Sequence, residues 1–190
     1  MRPLMDILRS YMSNEAYESL QFHMVLTLLL DDEISYLKKS KTIHKLKKYI
    51  DITAYNHYDN RYYGLTIVHI LAMFNLDQEI NMLSFSGASL DLPALESGKT
   101  PLDIAIEYYN LDAIISLVRS GKVNLDNHYI IKSVKQNLGI LIIRLLVAFG
   151  GDVNQKDSDG KNALYYAYIL DQQHDIDYLL SNGAIYDEKK

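Results

Sequence analysis

The sequence predicts an all-α protein built from about four short helix-turn-helix units laid one after another as a solenoid, joined by short hairpin loops and preceded by an N-terminal helical cap. Three observations carry that prediction. Glycines recur at a fixed distance from a polar residue: Gly87 follows Thr66, Gly121 follows Thr100 and Gly183 follows Asn162, each by 21 residues. Between these marks each segment reads as a short apolar helix, a break at a polar pair, and a second helix closed by a leucine-type pair such as Leu117 with Val118 or Leu179 with Leu180. The composition, 48% apolar and 11% aromatic in 190 residues, is enough for one filled core.

Residues 1–50 lack the repeat marks and are expected to form the helical cap. Asp6, Arg9 and Glu15 interrupt the opening MRPLMDILRSYMSNEAYESL before a signal-type apolar stretch forms. No run reaches the roughly 18 to 20 apolar residues a bilayer span needs. The expectation is therefore no standard secretion signal and no membrane segment. Next comes KKSKTIHKLKK, with Lys38, Lys39, Lys41, Lys45, Lys47 and Lys48, read as a solvated helix face. A basic patch for an acidic partner, or a localisation signal, is the alternative reading.

The four units follow over residues 60–187. The first runs from Gly64 and Thr66 with Ile70 and Ala72 on its first helix, the second from Gly98 and Thr100 with Ile104 and Ala105. The third, placed at Tyr129, lacks a leading glycine but ends at Gly150 at the common offset, with Leu145 and Leu146 as its closing pair. The fourth runs from Gly160 and Asn162 with Ala167. A glycine after the second helix fits a left-handed C-cap. Neither helix of a unit is long enough to persist alone, so each must bury its face on a neighbour. The whole chain, 1–190, is expected to be one domain.

These residues resemble a known family. Thr100-Pro101-Leu102-Asp103-Ile104-Ala105 is similar to the ankyrin signature T-P-L-H-x-A, with Asp103 in the histidine position. Thr66-Ile67-Val68-His69 keeps the threonine and histidine, and GGDVNQKDSDGKNAL from Gly150 to Leu164 resembles the segment between ankyrin repeats nearly throughout. The resemblance implies that His69 has a structural role, hydrogen bonding near the hairpin. The degenerate repeats and the Ile, Asn, Tyr and Lys usage look like an A+T-rich genome, and the chain resembles the small standalone ankyrin proteins of viruses or bacteria.

The chemistry-bearing patterns dissolve on inspection. Gly98-Lys99-Thr100 spells the end of a phosphate loop, but the required earlier glycine is Pro93, which also removes an amide the cradle needs. Gly98 is instead a hairpin turn, Thr100 and Pro101 open a helix as cap and first-turn residue, and Lys99 is an exposed hairpin residue. KDSDGKN hints at a calcium loop, yet with Gly160 as its turn the first and last ligands would be Gln155 and Tyr166. His23, His44, His57, His69, His128 and His174 are scattered without metal-ligand spacing, and no nucleophile elbow or H-E-x-x-H is present. The reading is no enzyme, no cofactor and no metal. A net charge of -5 argues against nucleic acid, and the lack of cysteine fits a reducing compartment, read as cytoplasm.

The expected function is a binding module, monomeric when free, whose concave surface of hairpin tips and first-helix residues holds a folded protein partner and sequesters or blocks it. By the family's pattern the contact positions are Tyr62, Tyr63, Leu65, Met73 and Phe74; Glu96, Ser97, Lys99, Glu107 and Tyr108; Gln136 and Asn137; and Ser158, Asp159, Lys161, Ile169 and Leu170. Tyr62 and Tyr63 are hot-spot candidates, since tyrosine offers large contact area at low entropy cost. The alternative is an immunity-type inhibitor of a toxin or effector enzyme, for which the acidic balance would suit a basic target.

Overall fold

In the computed structural model, residues 10–46, 55–57, 62–125 and 128–186 are described. All ten named elements are α-helices: α1 Asn14–Leu30, α2 Tyr36–Leu46, α3 Ile67–Met73, α4 Asp77–Phe85, α5 Pro101–Glu107, α6 Leu111–Arg119, α7 Tyr129–Lys135, α8 Ile140–Ala148, α9 Ala163–Ile169 and α10 Gln173–Ser181. The chain divides into two compact units, residues 1–122 and 123–190.

The first unit holds α1 and α2 followed by two helix pairs, α3–α4 and α5–α6. The repeat geometry appears in its packing, where first helix lies on first helix, α3 on α5, and second on second, α4 on α6. Ile67, Val68, Leu71, Ala72, Ile80, Leu83, Leu102, Ala105, Ile106, Ala113, Ile114 and Leu117 are sealed from solvent. Helices this short gain their stability from such burial rather than from propensity. The expected cap is present as α1 and α2, and α1 packs on both α2 and α3. Residues 1–9 and 47–54 of the cap segment lie outside the described residues.

The starts of α3 and α5 have local causes. Thr100 is extended, its hydroxyl accepts from the Asp103 N–H at 3.2 Å, and the Asp103 carboxylate accepts from the Thr100 N–H at 2.9 Å. With Pro101 supplying the first turn, the capping box at this helix start is complete. At Thr66 the reciprocal bond comes from His69, whose Nδ1 accepts from the Thr66 N–H at 3.1 Å. That ring is fully buried and donates through Nε2 to the Lys99 carbonyl at 2.9 Å, a link between consecutive repeats. Side-chain amides add to it: Asn110 Nδ2 donates to the Ala72 and Met73 carbonyls, each at 2.8 Å, and Asn75 Oδ1 accepts from the Ala113 N–H at 2.9 Å.

In the second unit α7 packs on α9, α8 on α10, and each first helix on its own second helix. Asn162 caps α9 through Oδ1, 3.1 Å from the Tyr165 N–H. Its Nδ2 donates to the Ile185 carbonyl at 2.7 Å, which ties down the segment after α10.

Two sequence expectations about the helices need correction. The third repeat starts at His128, not Tyr129. Tyr129 is the first helical residue, as Ile67, Pro101 and Ala163 are, and Asn137 has the left-handed turn conformation found at the same offset in Asn75, Tyr109 and Asp171. The turn between α7 and α8 then holds one extra residue, Gly139, whose φ of 87° a side chain would resist. The early start and the longer turn cancel, so the 21-residue offset measured from Tyr129 is a coincidence. Second, Lys39 is not on a solvated face. It is buried, with Nζ 2.5 Å from the Leu29 carbonyl at the end of α1 and 3.7 Å from Glu79 Oε1 on α4. Lys38, Lys41 and Lys45 are exposed as expected, and Lys47 and Lys48 lie outside the described residues. Of the fourth closing pair, Leu179 is buried and Leu180 is exposed.

Candidate protein-interaction surface

The hairpins and the ends of the first helices carry the residues expected to meet a partner. The hairpin before α5 is closed by the Ala94 N–H to Lys99 carbonyl bond at 2.8 Å, and Gly98 turns it with a φ of 67°. A neighbouring bond, from the Leu95 N–H to the Gly64 carbonyl at 3.0 Å, sets this hairpin beside the one before α3. The corresponding turn before α9 is held by the Asp157 N–H to Lys161 carbonyl bond at 2.9 Å.

On the first unit this framework exposes Tyr63, Phe74 and Tyr108, while Tyr62, Leu65 and Met73 are half-buried. The Tyr63 ring meets His57 edge-on at 6.1 Å, and His57 Nε2 is 2.9 Å from Glu18 Oε2 on α1. Phe74 and Tyr108 take equivalent places just past the ends of α3 and α5, each with about half its surface in solvent. Glu96 and Ser97 are exposed at the hairpin tip. Lys99 is not the free hairpin residue the sequence suggested: it is half-buried and its Nζ lies 2.9 Å from Glu107 Oε2 on α5. The bond to Glu107 raises the Lys99 pKa against the opposing effect of burial.

On the second unit Ile169 and Leu170 end α9 with 61% and 46% of their surface exposed, as apolar as Phe74 at the matching place. Ser158 and Asp159 are exposed, and Lys161 lies 4.1 Å over the Tyr165 ring. Gln136 is exposed past the end of α7, and Asn137 is the turn residue behind it. The position matching Met73, Glu107 and Ile169 therefore belongs to Lys135, which the register error hid.

Lys135 belongs to a cluster that no local sequence pattern announces. Its Nζ lies 4.2 Å from the centre of the Tyr166 ring and 3.7 Å from Asp157 Oδ2. The Tyr166 hydroxyl donates to that same carboxylate oxygen at 2.6 Å. Burial by itself would raise the Asp157 pKa. Hydrogen bonds from Tyr166 and from the Lys161 and Asp159 N–H groups, with Lys135 close by, carry it instead below the usual carboxylate value. Tyr166 is pushed up to about 12, chiefly by its bond to Asp157 and then by burial and that negative charge. The three side chains form an ionic and aromatic cluster that joins α7, α9 and the turn before α9.

His69 belongs to the scaffold under this surface. Burial lowers its pKa, and an Nδ1 that accepts from Thr66 requires the proton on Nε2, where it bonds to Lys99. A neutral, doubly bonded ring suits the structural role the resemblance implied. Among the described residues, no helix is long and apolar enough to cross a membrane.

No family model matches the chain. A protein of Fowlpox virus (strain NVSL) described as an ankyrin repeat protein is 36% identical over 84 residues, which amount to 41% of this chain and 14% of that relative. The chain thus matches only a small part of a much longer protein. With paired short helices, a Thr-Pro-Leu start whose cap is fully bonded, a histidine linking one hairpin to the next and this match, the repeated units of the chain are ankyrin repeats.

Proposed function

We propose that the chain is a protein-interaction module that holds a folded protein partner on its hairpin tips and first-helix ends, and blocks or sequesters it. One observation carries the reading: at the place just past the first helix, Phe74, Tyr108 and Leu170 leave about half of a large apolar side chain in solvent, joined by Tyr63 and Ile169. The exposed half of each of these side chains adds nothing to the fold, and aromatic residues in such places are the usual anchors of protein interfaces. The ankyrin repeats support the same reading, because stacked repeats offer extended surfaces to folded partners. Residues 1–190 acting as one repeat domain, and a free chain that is monomeric, belong to this proposal. A cytoplasmic setting belongs to it as well.

The test is a pair of tagged proteins, the wild type and a Phe74→Ser, Tyr108→Ser, Leu170→Ser variant, used to retrieve partners from cell extract. A protein enriched by the wild type is then purified and titrated against both. Loss of at least tenfold in affinity by the variant, at unchanged melting temperature, supports the surface. Equal affinity for the two would move the binding site elsewhere.

A further inference from the structure

A second surface lies on the other helices of the first unit. Between α4 and α6 runs a groove of about 750 Å³, bordered also by Tyr36 of α2. Its ends differ in charge. Asp77 and Asp112 stand at the starts of α4 and α6, whereas Arg119 and Lys122 stand at their far ends. At that basic end Phe85, the last residue of α4, has 85% of its surface in solvent. On its other side Phe85 lines a smaller hollow of about 330 Å³ with Lys41, His44 and Lys45 of α2.

An exposed phenylalanine with four lysine or arginine side chains and a histidine around it, in a chain of net charge -5, is a local reversal of the overall field. Lys41, His44, Lys45, Arg119 and Lys122 are all solvent-exposed. The Lys122 ammonium also bonds the Ser84 carbonyl, which fixes it at the rim of the groove. Lys39, by contrast, is consumed inside the fold. The lysine-rich segment thus splits into one structural cation and an outward set that reaches Phe85.

We propose that this basic, aromatic end of the α2–α4–α6 face docks an acidic segment of a partner protein, its carboxylates meeting Lys41, Lys45, Arg119 and Lys122 and an apolar side chain covering Phe85. Charge complementarity selects that occupant. The two aspartates at the far end of the groove would repel a continuous phosphate backbone, whereas a short peptide need not extend to them. The site is separate from the hairpin surface and does not depend on the function proposed above.

The probe is a fluorescein-labelled peptide, Glu-Glu-Leu-Glu-Glu-Phe written twice, titrated with the full chain at low salt and followed by anisotropy. Saturable binding is expected, weakened about tenfold or more by combining Lys41→Glu, Lys45→Glu and Phe85→Ser, and weakened also by high salt. A peptide with lysine for glutamate should not bind, and Phe74→Ser with Tyr108→Ser should leave the affinity unchanged. If the triple variant melts early, Lys41→Glu alone carries the comparison, with about a threefold loss expected. Absence of saturable binding at millimolar peptide, equal binding by the Lys41 variant, or loss in the Phe74 and Tyr108 variant would overturn the proposal. Tighter binding of a single-stranded oligonucleotide or a phosphatidylserine vesicle than of the peptide would overturn it too.

Discussion

Replacing His69 with alanine tests the hydrogen-bonded link between consecutive repeats. The ring is fully buried and bonds at both nitrogens, to Thr66 at one and to the Lys99 carbonyl at the other. Removal strands the Thr66 N–H at a site where Thr66 is only 1% exposed, costing about 1 to 3 kcal/mol. The Lys99 carbonyl keeps its bond from the Ala94 N–H, so its loss is nearer 1 kcal/mol. A void in place of the ring adds about 1 kcal/mol more. The sum is about 3 to 5 kcal/mol, a large fraction of the roughly 5 to 15 kcal/mol typical of a domain. Burial lowers the His69 pKa, so as pH falls below 6.5 the unfolded chain takes up a proton that the folded ring resists. Stability from this residue is therefore complete above pH 6.5 and declines below it, by about 1.4 kcal/mol for each pH unit over which the folded ring stays neutral. Urea denaturation of wild type and His69→Ala at pH 8 and pH 5 measures both effects, since the other five histidines are common to the two proteins and cancel. The variant should be much weaker at pH 8 and closer to wild type at pH 5. A loss below 1 kcal/mol at pH 8, or the same difference at both pH values, would refute the linking role.

Glycine substitutions separate strain from crowding. Gly150 has a φ of 98° with open space where a Cβ would sit, so Gly150→Ala and Gly150→Val should each cost about 1 to 2 kcal/mol in a thermal melt, through backbone strain. Gly64→Ala should cost more than Gly150→Ala, because its Cβ would also stand 3.0 Å from that of Leu95. Tyr166→Phe removes the 2.6 Å bond to Asp157 and should cost about 1 kcal/mol by chemical denaturation. With its pKa raised to about 12, Tyr166 stabilises the fold below pH 10, a contribution lost as pH climbs from 10 towards 12, and the ultraviolet titration of wild type should show a late phenolate absent from the variant. Lys99→Ala should leave ATP and GTP binding at the background of the wild type in equilibrium dialysis, because Lys99 bonds Glu107 on a hairpin that makes no phosphate cradle. Micromolar nucleotide binding lost in the variant would reverse that reading.

What was legible in the sequence were signals that act over a few residues. Thr100 and Pro101 must open a helix because one supplies an acceptor to an orphan N–H and the other has no N–H to waste. The third repeat shows where such reading fails. His128 is no standard cap and Gly139 is an ordinary loop residue on paper, so two offsets of one residue cancelled and the expected contact positions slipped by one, from Lys135 and Gln136 to Gln136 and Asn137. The Lys135, Tyr166 and Asp157 cluster was invisible for the same reason, since its members come from two repeats and no local pattern joins them.

By itself the sequence determined the repeat, the helix starts set by caps at Thr66, Thr100 and Asn162, and the place of Gly98 as a hairpin turn. All of these follow from backbone conformations and hydrogen bonds among near neighbours. Only the tertiary structure decided which lysine is buried, which tyrosine holds a carboxylate, and that Phe85 stands exposed among cations. Lys39 and Lys41 sit in the same helix two residues apart, and nothing in their chemistry separates them. One meets the last turn of α1 and Glu79 while the other meets water, and that difference exists only once the helices pack.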